Sequence, residues 1–204
     1  MKHITIKIIL LGDTCVGKTS LLNRLNDNSY NSNFVSTLGV DFRKINQQKN
    51  NTIYKCYLWD TSGQEKFRSI VTSYFRNINC AILVYDITDH DSFINIDNWA
   101  NDLKKLNNFE ELTIIVCGNK CDLKNRVVSK VEASNYCEKN NFLFTEISSK
   151  NNININIILD KLLENIEDKI KNNSIYYDKI DGKLISQLEL NTKFRKKKDC
   201  CIIN

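Results

Sequence analysis

Apolar residues gather along this chain in short runs with helical patterns between them. Ile4–Leu11, Ile53–Trp59, Ala81–Tyr85, Thr113–Gly118 and Phe142–Ile147 are nearly continuous, as strands buried on both faces are. Val40–Ile45 is closer to alternation, and the polar stretch Asn46–Asn51 joins it to the Ile53 run in a hairpin pattern. Ser20–Leu25 has a helical look. Phe93, Ile96, Trp99, Leu103 and Leu106 fall at helical spacing after Asp91-Ser92. Ser129 with Glu132 three residues later is a capping-box start. Ile153–Ile157 alternates like a strand, but Ile155, Ile158, Leu159, Leu162, Leu163, Ile166 and Ile170 hold a longer helical stripe, which predicts a helix from about Asn154. Strands spaced by helices imply an α/β fold with a parallel sheet covered on both faces, and the first hairpin adds one antiparallel edge strand. Beyond about Asn172 the periodicity fades. The expected organisation is one domain over 1–172 and a tether over 173–204.

Composition changes this picture little. The 204 residues suffice for one domain with a good core, and 42% hydrophobic and 26% charged residues are ordinary for a globular protein. Pro is absent and Asn and Ile are abundant, a coding bias with little bearing on function. The eight cysteines form no C-x-x-C pair, and Cys56, Cys80 and Cys117 lie in apolar runs, where a thiol acts as a small hydrophobe. A reducing compartment is expected. The start, Met1–Lys7, is too short and interrupted for a signal peptide, and no stretch approaches the roughly 18 to 20 apolar residues that span a bilayer. The formal net charge of +5 matters chiefly through its placement, with a basic run at Lys193–Lys198.

The candidate chemistry begins where the first strand ends. Gly12-Asp13-Thr14-Cys15-Val16-Gly17-Lys18-Thr19 reads G-x-x-x-x-G-K-T between a strand and a helix, the arrangement that grips a triphosphate. The glycines let the backbone turn so that successive N–H groups, over Thr14, Cys15, Val16, Gly17, Lys18, Thr19 and Ser20, point at phosphate oxygens, helped by the following helix dipole. Lys18 would reach the β- and γ-phosphates, and the Thr19 hydroxyl would bind Mg²⁺. A surface turn containing glycine would match the letters but not the strand–turn–helix context.

A phosphate grip alone does not separate a kinase, an ATPase and a GTPase. Asn119-Lys120-Cys121-Asp122 follows the fourth apolar run. A carboxylate there can accept from N1–H and the 2-amino group of guanine, whereas adenine would leave it unpaired. A polar loop after a strand is the bland alternative; pairing with the phosphate loop makes the motif specific. Ser148-Ser149-Lys150 is the expected partner of that base site. Trp59-Asp60-Thr61-Ser62-Gly63-Gln64-Glu65 supplies a third piece. Asp60 can hold the Mg²⁺ shell, Gly63 can offer its N–H to the γ-phosphate, and Gln64 can orient the attacking water as the catalytic residue. Read by itself, Asp-Thr-Ser-Gly is simply a turn.

By these motifs together, the chain resembles a Ras-superfamily small GTPase and, within it, the Rab family. The likeness covers Thr5 to Ile170 and the two terminal cysteines. It includes Leu38–Phe42, Lys66–Ile70, Tyr74-Phe75-Arg76 and Leu83–Thr88, which resemble segments that set Rabs apart from other branches. The resemblance implies a P-loop G domain with a six-stranded sheet, five helices and two nucleotide-dependent switches. It aligns Thr37 with the switch threonine that completes the Mg²⁺ shell while the γ-phosphate is present. Phe42, Trp59 and Tyr74 align with an aromatic triad read by effectors, although Phe42 and Trp59 also suit plain strand packing. Ser62, Ile147, Ser149, Leu38 and Asn77 depart conservatively from the family pattern. Cys15 stands where Gly, Ser or Ala is usual; a thiol beside phosphate-binding N–H groups could be a redox sensor, or simply a tolerated small side chain.

Gln64, Thr37 and Lys18 together oppose a binding-only pseudo-GTPase, and a P-loop nucleotide kinase would carry an Arg-rich lid and lack the Asn119–Asp122 site. No arginine finger is found in cis, so intrinsic hydrolysis is expected to be slow and an activating protein needed. Other partners implied by the resemblance are an exchange factor, a GDP-dissociation inhibitor, prenyl-transfer machinery and effectors. The ligand is GTP or GDP with Mg²⁺. Cys200-Cys201-Ile202-Ile203-Asn204 resembles a C-C-x-x-x Rab ending, normally doubly geranylgeranylated, and Cys201 also scans as a C-a-a-X box. Two chains, or one plus the basic run, satisfy the two-signal rule for stable anchoring. The basic run alone would suit nucleic acid or nuclear import; placed just before the cysteines it favours a membrane, and nucleic acid is not an expected partner. The expected location is the cytoplasmic face of intracellular membranes (endoplasmic reticulum, Golgi or endosomal) and cytosol.

Overall fold

The computed structural model describes residues 2–31, 40–61, 75, 77–106, 109–172, 175–177 and 184–186. Strands β1 (Lys2–Leu11), β2 (Val40–Lys49), β3 (Thr52–Thr61), β4 (Cys80–Asp86), β5 (Thr113–Asn119) and β6 (Leu143–Glu146) form one sheet in the order β2-β3-β1-β4-β5-β6. All neighbours are parallel except β2 and β3, so the single antiparallel strand sits at the edge, as the pattern predicted. Helices α1 (Lys18–Asp27), α2 (His90–Lys104), α3 (Lys130–Lys139) and α4 (Ile155–Lys171) cover its faces. These are the four α-helices among the described residues; the fifth implied by the resemblance has no counterpart there.

Alternate residues of β1 feed two cores. Ile4, Ile6, Ile8 and Leu10 pack with Leu21 and Leu22 of α1 and with the apolar stripe of α4. Ile9 and Leu11 pack on the other face with Phe93, Ile96 and Trp99 of α2 and Ala133 and Cys137 of α3. Cys56, Cys80 and Cys117 are wholly buried in these layers, and burial pushes the Cys56 thiol up to about 12.

Local chemistry moved several boundaries. The polar stretch Asn46–Lys49 is strand, because an edge strand can present Gln47 and Gln48 to solvent while pairing with Tyr54 and Ile53. The turn is Asn50-Asn51, with Asn50 at φ 52°. Helix α2 starts at Asp89, whose carboxylate accepts from the N–H groups of Asp91 and Ser92 at 3.1 and 3.3 Å. Ser129 caps α3 as expected, its hydroxyl accepting from Glu132 N–H at 3.1 Å. Ile153 makes an isolated bridge to Ser148 before α4 begins, which accounts for the strand-like alternation there. Asn77, where the family prefers glycine, takes φ 58°. Past α4, β7 (Ile175–Tyr177) and β8 (Leu184–Ser186) pair antiparallel, and Ile175 is buried against the α4 core. Packed structure thus continues beyond the point where helical periodicity stops.

Candidate nucleotide site

The carboxyl ends of β1, β3, β5 and β6 converge on one side of the sheet, where loops after parallel strands build ligand crevices. The β1–α1 loop turns on two glycines. Gly12 has φ 142°, and a Cβ there would strike the Val84 carbonyl. Gly17 has φ 98°, and a Cβ there would strike the amide of Asn119. Lys18 is 6% exposed, and its ammonium donates to the carbonyls of Gly12 at 2.9 Å and Asp13 at 2.7 Å. Burial pushes its amine down to about 8, against the opposing pull of Asp60 and Asp13. The Asp13 carboxylate is held from α2 by Asn95 Nδ2 at 2.6 Å and Trp99 Nε1 at 2.9 Å, so the loop is braced by the helix across from it.

Thr19 and Asp60, separated by 41 positions, meet at this loop. Thr19 Oγ1 donates to Asp60 Oδ2 at 2.6 Å, while Asp60 Oδ1 is buried without a hydrogen-bond partner. Burial raises the Asp60 carboxyl, and the Thr19 bond and Lys18 charge oppose that rise. A carboxylate with one orphan buried oxygen beside a hydroxyl is a hard oxygen donor pair, and Mg²⁺ characteristically takes one or two such groups together with waters and phosphate oxygens. The residues fit the ion.

Next to the phosphate loop lies a cavity of about 340 Å³ lined by Cys15, Gly17, Ser20, Tyr30, Asn119, Lys120, Asp122, Leu123, Ser149 and Lys150. Asn119 works as a tie: its Nδ2 donates to Val16 O at 2.8 Å and its Oδ1 accepts from Ser149 N and Oγ at 3.1 and 3.2 Å. It joins the phosphate loop to the 148–150 loop. Lys120, at φ 65°, pairs with Asp86 at 2.6 Å. Ser148 Oγ donates to Asp122 and accepts from Asn151 N–H, which orients the carboxylate at the cavity. The arrangement places a glycine-turned loop with a buried cation at one end and a carboxylate at the other. Thr14 and Val16 belong to the same loop, and Cys15 is exposed at φ 65°.

Proteins of known identity share this pattern. A sequence model of the Ras family matches residues 7–168. Ras-related protein Rab-2B of Dictyostelium discoideum is 40% identical over 168 residues, spanning 82% of this chain and 83% of its own. Ras-related protein Rab-3C of Mus musculus is 40% identical over 165 residues, 80% of this chain and 72% of its own. Ras-related protein RabC of Dictyostelium discoideum is 36% identical over 203 residues, 98% and 99% of the two chains. The chain belongs to the Ras family, as a Rab-type small GTPase.

Members of this family bind GTP and GDP with Mg²⁺ and hydrolyse GTP, and Rabs in general work with regulators and effectors on the cytoplasmic face of intracellular membranes. In this Rab, Phe42 is 41% exposed on the edge strand, 4.9 Å from the Trp59 ring and 5.7 Å from Tyr57 between centroids. Lys7 stands over Trp59 at 5.2 Å and Lys44 over Tyr57 at 5.8 Å, so the aromatic surface carries a cationic fringe. Thr37, Gly63, Gln64, Tyr74, the Lys193–Lys198 run, Cys200 and Cys201 lie outside the described residues. No helix among the described residues is long and apolar enough to cross a membrane.

Sequence reasoning missed three participants: Tyr30 and Leu123, which line the cavity, and Arg24, which holds its walls. Tyr30 is a lone aromatic in a polar stretch after α1, a signal that was available. Arg24 looked like one more polar residue on a surface helix.

Proposed function

We propose that this Rab cycles between GTP and GDP at the Gly12–Thr19 loop and uses the cycle to recruit effectors at a membrane. The carrying observation is that the Gly12–Thr19 loop has the Thr19–Asp60 oxygen pair at its helix end and, through Cys15 and Gly17, shares a cavity with the Asp122 carboxylate. Thr14 to Ser20 hold the phosphates through backbone N–H groups, and Lys18 exchanges two carbonyl bonds for phosphate oxyanions. Asp122 accepts from the guanine edge, Ser148, Ser149 and Lys150 close the base site, and Asn119 keeps the two ends in register. Thr19 and Asp60, together with Thr37, would hold Mg²⁺, which would supply neutralisation of charge developing on the phosphates. Gln64 orients the attacking water, and Gly63 and Thr37 report whether the γ-phosphate is present.

Without an arginine finger in cis the reaction is slow, which suits a timer, and an activating protein would add about 10³ to 10⁵ in rate. Effectors read Phe42, Trp59 and Tyr74 in the GTP state. Lipid on Cys200 and Cys201, after prenyl transfer, holds the protein on a membrane, and a GDP-dissociation inhibitor and an exchange factor govern its traffic on and off. Nucleotide released from the purified protein tests the core of this reading: guanine nucleotide is expected, and ATP or no nucleotide would overturn it. A Gln64→Leu variant is expected to remain GTP-bound and membrane-associated; recovery mostly with GDP would remove Gln64 from its role.

A further inference from the structure

Arg24 projects from α1 toward the base end of the cavity and spends its guanidinium on backbone carbonyls. Its Nε donates to Ser149 O at 2.7 Å, Nη2 to Lys150 O at 2.8 Å, and Nη1 to Asn28 O at 2.7 Å. The same group lies 5.6 Å from the centre of the Tyr30 ring. Ser149, Lys150 and Tyr30 all line the cavity, and they come from chain segments about 120 residues apart. Asn28 matters because it turns the chain out of α1, with φ 56° and its N–H bonded back to Arg24 O at 3.2 Å. One planar fork therefore fixes both the exit that carries Tyr30 and the loop that faces it.

We infer that Arg24 is a positioning residue that joins the two walls of the base pocket and thereby sets how long a guanine nucleotide stays bound. The inference rests on guanine occupying this pocket, with Asp122 accepting from its edge. Arg24 touches no base atom in this scheme. It keeps the Ser149–Lys150 backbone and the Tyr30 ring at a fixed separation, so that a base between them meets Asp122 squarely. A lysine in its place carries one compact ammonium and cannot serve three carbonyls in a plane. A glutamine offers only a neutral amide.

The test uses the full-length protein loaded with GDP carrying a ribose-linked fluorophore, with release followed in Mg²⁺ against excess GDP. Arg24→Gln is expected to release GDP about tenfold faster or more, since even one bond from a charged donor is worth about a factor of ten. Arg24→Lys, which keeps the stem and the charge, is expected to fall between. The preference for GDP over inosine diphosphate, which lacks the 2-amino group, should shrink in both variants, and Tyr30→Leu combined with Arg24→Gln should cost less than the sum of the two. Wild-type release from Arg24→Lys and Arg24→Gln alike would overturn the inference. So would faster release with an unchanged preference for GDP, which would mark Arg24 as general support for the fold. Loss of the preference for GDP over ADP in the unmodified protein is a different failure, and would overturn the guanine reading itself.

Discussion

The two ends of the site, to which we assign the phosphates and the base, are adjacent in space but are built differently. The phosphate end is mainly one stretch, Gly12 to Thr19, turned by two glycines at φ 142° and 98°, with a cation that folds back on its own loop and an outside brace from Asn95 and Trp99 on Asp13. The base end draws on the end of α1, the end of β4, the loop after β5 and the loop after β6, joined by side chains that reach from one segment to another's backbone or charge. A local construction has few replaceable parts. A distributed one loses its grip by degrees, because each tie carries a share. Asn119 is where they meet, bonded to Val16 on one side and Ser149 on the other.

The sharpest way to break this contrast is to remove the cation of the phosphate end. Lys18→Ala deletes charge-assisted bonds of about 1.5 to 3 kcal/mol each, so GDP and GTP affinity should fall about a hundredfold or more, measured by titration calorimetry. The ratio of GDP to inosine diphosphate affinity should stay as it was. A changed ratio would mean that the two ends do not act separately. Asp122→Ala is the converse experiment. Affinity for GDP should fall about a hundredfold, since two bonds to a charged acceptor are lost, and the preference over ADP should collapse. Unaltered discrimination in that variant would place base recognition elsewhere in the cavity.

The same contrast explains what could be read from the letters. The phosphate loop was legible because its geometry is set by neighbours in sequence, and Gly12, Gly17, Lys18 and Thr19 each stand where a single stretch requires them. Asp60 and Asp122 were legible because each ends or follows an apolar strand. Strands β4, β5 and the second half of β1 stood out as apolar runs for a related reason: burial on both faces leaves no other pattern, whereas β3 buries only alternate residues from Tyr54 to Leu58. Arg24 and Tyr30 were not legible as site residues. Their partners lie on the other side of the fold, and neither charge nor aromaticity in a short polar stretch says what it will touch. Asn119 was read as a ligand-binding letter, and the structure gives it bonds to two loops. The β7–β8 pair was hidden because three-residue strands carry no usable period, although Ile175 is buried against the α4 core.

A smaller effect probes how closely the base loop depends on the sheet beneath it. Gly118 lies one residue before Asn119, and a Cβ there would stand 2.6 Å from the Tyr85 hydroxyl oxygen and 2.8 Å from the ring carbon bearing it. That hydroxyl is buried without a hydrogen-bond partner. Gly118→Ala should therefore overpack the β4–β5 layer and cost about 1 to 3 kcal/mol, read as a lower urea midpoint in the GDP-loaded protein. Tyr85→Phe removes the orphan oxygen and should be close to neutral or mildly stabilising. Combined, the two should recover part of the loss, because the oxygen at 2.6 Å is gone while the ring carbon at 2.8 Å remains. GDP release should quicken in Gly118→Ala and slow again in the double variant, since Asn119 rides on the displaced strand end. A double variant no more stable than Gly118→Ala would show that the strain lies against the ring carbon at 2.8 Å, which phenylalanine keeps, and against Ile87 Cγ2 at 3.2 Å, and not against the hydroxyl.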